Sequence, residues 1–429
     1  MFGALSKGMY VSLKNILLIA YCFPPAASPE SYVTAKIMGA LDEVEVDVLS
    51  VAPDLFFSAS DNSLDAYVEA RFGKVLRVFP NLLTQLILSV SRLPLRPDRF
   101  ILLDRAVCKA ARSRMENTHY DAIITRSQYH SAHLVGLDLK LEHPNLPWTA
   151  SFSDPWVGNS HEVRIPVMSA WSAKMATKVI RHADALIFPT EGIRNFFQSQ
   201  HPDVDVVSKS SVIPHGFDSD LYTEDQTLPQ GPVRMCYFGN FYGPRRVTPI
   251  FKALEQLRAA GQIDEHLLRV EFYTQSTALV HLPLKKYPLL QGMVKVHAPL
   301  NHLAALSEMK MADVLLLIDA EGQKPSIFLP SKLIDYIGAD RLILALTMNG
   351  AAWDVAEKAG AVCVDVTNEQ EIVQGIKDAM SMCRDCDENG QLNNQTANPE
   401  FRESLSVQLL SKEMIKAIEK GVGLCRATG

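Results

Sequence analysis

Short, almost continuously apolar runs alternate with longer segments of helical period along nearly the whole chain, and this alternation constrains the fold more tightly than any other feature. The first half gives "NILLIAY" (15–21), "VEVDVLSV" (44–51), "YDAIITR" (120–126), "PWTASF" (147–152), "DALIFPT" (184–190) and "SSVIPHG" (210–216). Runs of this kind suit parallel strands covered on both faces, because neither side of such a strand can turn to water. Between the first two, Val33, Ile37 and Leu41 recur every four residues along one helical stripe, which completes a strand, helix, strand unit. The second half repeats the pattern with "VRMCYFGN" (233–240), "LLRVEFYT" (267–274), "MVKVHAPL" (293–300), "ADVLLLIDA" (312–320), "RLILALT" (341–347) and "AVCVDV" (361–366). Ile250, Leu254 and Leu257 mark a helix that Gly261 can end. The expectation is α/β: two Rossmann-like, doubly wound domains, residues 1–217 and 233–400, joined by the polar stretch 218–232. Residues 401–429 form a last helical segment with Leu409, Met414 and Ile418 among its apolar positions.

Length and charge agree with this reading. A chain of 429 residues exceeds the usual single domain, and a formal charge of −6 argues against a surface built to track nucleic-acid phosphates. Seven scattered cysteines do not make a disulfide framework, so a reducing compartment fits. Cys383 and Cys386 form a CxxC, yet acids and glycine follow it and no second ligand pair is visible; it reads as a solvated loop before it reads as a metal or redox site. The apolar run from Ile16 ends at Pro24 and Pro25, too short to span a bilayer, and no other run is longer. The protein is expected to be cytoplasmic, or peripheral at the cytoplasmic face of a membrane.

The sequence lacks GxGxxG after a strand, GxxxxGK[ST] and GxSxG, which disfavours dinucleotide reduction, P-loop chemistry and the serine hydrolase elbow. His130 and His133 stand three apart without a third metal ligand, and no metal is expected. What remains is phosphate chemistry of another kind. After the strand ending at Phe238 comes "GNFYGPRRVTP": Gly239 and Gly243 allow close backbone approach, Asn240 lies between them, and Arg245 and Arg246 offer two guanidinium forks. In "FLPSKLIDYIGADRLILAL" (328–346), Pro330 precedes a short helix that Ser331 is expected to cap, leaving other first-turn amides for a phosphate. Lys332 would meet a diphosphate and Asp335, on the same face, ribose hydroxyls; the plainer alternative is an intrahelical Lys332–Asp335 pair.

These residues, in this order, resemble the family-4-type retaining glycosyltransferases of the GT-B fold, in the branch that builds bacterial capsule, exopolysaccharide or O-antigen chains. The likeness runs from "YCFPPAASPESYVTAK" through "SFSDPWVGN", "ADALIFPTEGIRNFF", "VIPHGFD", "YFGNFYGPRR" and "HAPLNHLAALSEMKMADVLLLID" to "LPSKLIDYIGADRLILAL". It implies two domains facing a cleft, with a final helix, 401–429, returning to the first. A UDP- or GDP-linked sugar would be held mainly by the second domain and a glycan or lipid-linked saccharide acceptor by the first. Arg245 or Arg246, with Lys332, would neutralise the departing diphosphate without metal or other cofactor. Gly239, Asn240, Pro330 and Ser331 would line the donor site, Val296, His297 and Ala298 would frame the base, and Asp335 matches the second acid of the family's E-x7-E pattern. His133, or failing that His130, would be the active-site histidine, with Asp154 orienting it or the acceptor. The chain departs from the pattern in two places: Ile327 stands where the first acid is expected, and Ser28, Pro29 and Glu30 occupy an acceptor-side loop that often carries a glycine pair.

Two other readings share these residues. A sugar-nucleotide epimerase would bind the same donor without an acceptor, and a non-catalytic protein would bind nucleotide or a partner enzyme. Separately, residues 82–112 mix leucine-rich turns with Arg92, Arg96, Arg99, Arg105, Lys109 and Arg112. That composition suits either a peripheral contact with anionic lipid or a packed helix pair with solvated arginines.

Overall fold

The structure, a computed structural model, describes residues 13–428 apart from 54–58, 90–94, 158–165, 224–230, 320–324, 384–394 and 396–397. Arg92 and Cys386 lie outside the described residues. The chain divides into two compact units, residues 1–213 with 411–429, and residues 214–410.

The first unit is built on a parallel sheet of seven strands: β1 Asn15–Ala20, β2 Glu45–Val51, β3 Val75–Val78, β4 Ala122–Arg126, β5 Trp148–Ser151, β6 Ala185–Phe188 and β7 Ser210–Val212. Their order is β3-β2-β1-β4-β5-β6-β7, so the winding reverses between β1 and β4. The second unit holds β8 Val233–Phe238, β9 Leu268–Tyr273, β10 Val294–His297, β11 Val314–Ile318, β12 Leu342–Thr347 and β13 Val362–Asp365, ordered β10-β9-β8-β11-β12-β13 with the reversal between β8 and β11. All described pairings within these sheets are parallel, and the central strands are buried along their length, as their apolar runs require. Ligands of open parallel sheets bind beyond the carboxyl ends of the strands at such reversals.

Every expected run forms a strand, and β3 is an addition. It sits at the sheet edge, four residues long and only half-buried, with Arg77 inside it, so it lacks the continuous apolar signal of a covered strand. The helix expected from Ile250, Leu254 and Leu257 is Thr248–Ala259, and Gly261 follows it at φ +68 with its amide donating to the Arg258 carbonyl at 3.0 Å.

Two parts of the chain differ from the expectation. Residues 214–217, expected to end the first domain, and 218–223, expected in the linker, belong to the second unit: Phe217 and Asp218 are buried, and the Tyr222 hydroxyl donates to the Asp335 carbonyl at 2.9 Å. The last segment is two helices, Pro399–Ser404 and Val407–Thr428, because Phe217 pairs its backbone with Leu405 and Val407 and takes those groups out of helical register. Within the second of them Leu410, Met414 and Ile418 are buried, while Leu409 is exposed.

One close approach in the first unit is set by a glycine. A Cβ at Gly136, in the helix Ser131–Glu142, would lie 2.5 Å from the Trp148 indole and 2.7 Å from Thr125. Gly136→Val should therefore lower stability by about 1–3 kcal/mol, read from the denaturant midpoint at unchanged slope.

Candidate active site

The second unit collects its candidate residues at the β8/β11 reversal. These two strands are in register only over Met235–Cys236 and Val314–Leu315, after which they part. The hydroxyl of Tyr336, fully buried, fills the parting: it accepts from the Phe238 amide at 2.9 Å and donates to the Leu316 carbonyl at 3.3 Å. Tyr336 belongs to the helix Ser331–Ala339, so this pair of bonds fixes that helix with its amino end at the mouth between the strands. Asp340 ends it in the left-handed conformation, φ 56, which turns the chain directly into β12.

The amino end differs from the expectation in one respect. Pro330, not Ser331, occupies the cap position, and no side chain caps the first turn. Ser331 is the first helical residue. Lys332 is partly buried; its ammonium donates to the Tyr237 hydroxyl at 3.0 Å and lies 4.3 Å from the centre of that ring. It does not pair with Asp335, which stands one turn on, partly buried. Gly239 passes so close, at φ +123, that a Cβ there would lie 2.7 Å from Lys332 Nζ.

Arg245 joins this group. Its guanidinium is buried, 3.1 Å from Asp319 Oδ1 and 4.8 Å from the Tyr242 ring centre, and Thr347 donates to the other oxygen of Asp319 at 3.3 Å. Burial holds the Lys332 ammonium well below its ordinary value, the positive Arg245 adds to that, and Asp319 opposes it. Among the described residues, then, one carboxylate pairs with Arg245 and acts at longer range on Lys332, an arrangement that favours an arriving anion. Tyr237, Asp319 and Tyr336 were not singled out from the sequence. Asp319 ends a strand at its carboxyl edge, a position that can be read directly; the two tyrosines read as core residues because their rings are core and only their hydroxyls act here.

The other donor-side candidates lie apart from this group or do other work. Arg246 is exposed and turns its guanidinium onto the Gly243 and Arg245 carbonyls. Asn240 Oδ1 accepts from the Gln275 amide at 2.9 Å, tying the loop after β8 to the loop after β9. Val296, His297 and Ala298 end the edge strand β10, where the His297 ring stacks on Tyr273 at 4.6 Å and Nε2 lies 3.4 Å from Glu271.

In the first unit the candidates meet at the β1/β4 reversal. Ser28 caps the helix Pro29–Gly39 by accepting from the Ser31 amide, with Pro29 and Glu30 in its first turn. Arg126, at the end of β4, is buried and donates to Thr34 and to Ser151, each at 3.0 Å. Asp154 follows β5 and accepts from Gln128 at 2.7 Å. Burial raises the Glu30 carboxyl to about 7; Arg126 pulls it down, and Asp154 pushes it further up.

The two histidines differ in access. His133 is wholly enclosed, its ring 4.3 Å from Phe152 and its Nδ1 2.7 Å from Thr125 Oγ1. The Trp148 indole donates to that same oxygen at 2.9 Å. Burial lowers His133 well below its ordinary value, with His130 and Arg126 acting in the same direction. His130 stands before the helix, partly exposed, stacked on Trp156 at 4.8 Å, and burial pushes it down to about 4 against its bond to Pro155. Both rings are neutral near pH 7. Of the two, His130 has the exposure a ligand contact needs.

Among the described residues no group of three or more His, Cys, Asp or Glu is placed to hold a metal ion. Cys383 is buried and its thiol points at the Asp313 carbonyl, 3.6 Å away.

No family model and no curated protein matches this chain. Solved structures do. Anabaena HepE in complex with UDP and glucose is similar at 14% identity and TM-score 0.63 over 94% of this chain and 98% of that one. The sucrose-phosphate synthase of Thermosynechococcus elongatus gives 14% identity and TM-score 0.66 over 94% and 97%. The lipopolysaccharide outer core galactosyltransferase WaaB gives 13% and 0.59 over 94% and 95%. Likeness at this level shows the fold: two Rossmann-like parallel-sheet domains of the GT-B class.

Glu30 supplies a pH test. Its folded value is raised from the ordinary 4.5 to about 7, so it contributes stability that is fully present below pH 4.5 and is lost as pH rises through about 7. Glu30→Gln keeps the shape of the protonated acid and should be the more stable protein above neutrality, on the order of 1–2 kcal/mol, in urea midpoints taken across pH.

Proposed function

We propose that the protein is a glycosyltransferase that moves a sugar from a nucleotide-sugar donor to a glycan or lipid-linked acceptor with retention of configuration, in polysaccharide biosynthesis. The observation that carries this reading is the pair Lys332 and Arg245, gathered with one opposing acid, Asp319, beside an uncapped helix end at the mouth of a parallel sheet. Diphosphates suit such a site because the anion restores the charge balance that burial withholds from the lysine. The likeness to a protein solved with UDP and glucose supports a nucleoside diphosphate as that anion.

In this reading Lys332 and Arg245 stabilise negative charge on the departing diphosphate, the effect that lowers the barrier most, and no metal is called on for that task. Gly239 lets the backbone approach closely, and Asp335, one turn into the helix, accepts the ribose hydroxyls. The first unit holds the acceptor. His130, neutral and partly exposed, is there to donate a hydrogen bond to sugar or acceptor, Asp154 and Glu30 orient the acceptor, and His133 acts behind them through packing.

The test is turnover of a panel of UDP- and GDP-sugars with saccharide acceptors, by nucleotide release and by the product's anomeric configuration from proton NMR, in wild type and Lys332→Met. Removing a partly buried, poorly solvated charge should leave the unliganded protein at least as stable, while transfer falls about a hundredfold and nucleotide raises the melting temperature much less. Nucleotide binding without turnover of any donor would instead support the non-catalytic reading, which Ile327 in place of an acid already favours. Turnover unchanged in Lys332→Met would remove the lysine from the chemistry.

A further inference from the structure

The helix Leu82–Ser89 carries no charged residue, and the structure does not bury it as a packed pair would. Leu82 is 79% exposed, Leu83 and Leu86 67% each, and Phe79 just before it 68%. Four large apolar side chains this open, within eight residues, make a contiguous patch of the kind soluble surfaces avoid.

Among the described residues 95–112 the exposed charged side chains are basic, and Arg112 pairs with Glu142 of the neighbouring helix Ser131–Glu142 at 2.6 Å. The helix packs on the turn Arg99–Leu103, which runs straight into the helix Asp104–Asn117. Arg99, Arg105 and Lys109 are exposed, and Arg105 and Lys109, four apart on one helical face, have no acidic partner among the described residues. The two acids of residues 82–112 turn inward: Asp98 accepts from the Ser131 amide and hydroxyl at 3.0 and 2.8 Å, and Asp104 accepts from Tyr21 at 2.8 Å. A basic surface thus borders an apolar one on a chain whose net charge is −6. A second copy seated on the same patch would bring these cations against their own equivalents, which disfavours a symmetric dimer here.

We propose that this face docks on an anionic bilayer surface, with Phe79, Leu82, Leu83 and Leu86 entering the boundary between headgroups and acyl chains and Arg99, Arg105 and Lys109 set against lipid phosphates. No helix among the described residues is long and apolar enough to cross a membrane, so the contact is one of lying on the surface. The proposal is independent of which reaction the protein performs.

The experiment is co-sedimentation of the full chain with phosphatidylcholine vesicles, plain or containing about a third phosphatidylglycerol. Three proteins are compared: wild type, Leu82→Ser/Leu83→Ser/Leu86→Ser, and Arg105→Glu/Lys109→Glu. Circular dichroism checks folding, and light scattering gives the oligomeric state. Wild type should bind the anionic vesicles, less so in high salt, and each variant should bind at least about fivefold more weakly. Absence of wild-type binding overturns the proposal. So does a folded serine variant that binds as wild type does, since the leucines then do not insert, and so does a wild-type dimer that the serine variant dissolves, since a second copy then covers the patch.

Discussion

The second unit depends on one small misfit. β8 and β11 share register at only two positions, whereas β8 and β9 pair along all six residues of β8. Strands that part leave a backbone amide and a carbonyl facing a gap, and unpaired buried groups of that kind are costly. Tyr336 resolves the cost by offering one hydroxyl to both. Its ring brings the helix Ser331–Ala339 with it, and that helix brings Lys332 to the mouth of the sheet. A packing solution and the placing of a candidate site are here the same contact.

The consequence of that placement is electrostatic. Lys332 and Arg245 are desolvated together, with Asp319 as the one carboxylate placed against them among the described residues, a state in which burial disfavours the lysine's charge. Buried cations without full compensation are rarely retained for stability alone. Tyr237 accepts one hydrogen bond from the ammonium and lends its ring face, and Gly239 removes the Cβ that would collide with the ammonium. Each of these residues makes room for the charge without neutralising it. The first unit has the complementary character. Glu30, Asp154 and Arg126 gather at its own reversal, with one carboxyl poised to carry a proton near neutral pH.

Much of this was legible in the residues. Covered parallel strands announce themselves as apolar runs, and the sequence already places Gly239 and Arg245 after one strand and Lys332 at the start of a short helix, the residues that the fold brings together. The edge strand β3 was not legible, because a half-buried strand with an arginine in it looks like a loop. The leucines of residues 82–89 looked equally like core and like surface, and only their exposure separates the two. Arg245 and Arg246 are equivalent as letters; the turn at Gly243 sends one inward to Asp319 and leaves the other against backbone carbonyls. Ser331 looked like a cap because serine commonly is one, yet Pro330 already holds the extended conformation that a cap position requires.

The account's central claim is that burial disfavours the Lys332 ammonium in the free protein and that a bound diphosphate supports it. Calorimetry of UDP and GDP binding in buffers of different ionisation enthalpy, repeated at increasing alkaline pH, reads that claim as protons taken up on binding. The account predicts net uptake by wild type that grows as pH rises and is absent in Lys332→Met. Binding with no proton uptake at any pH, or the same uptake in both proteins, would contradict it.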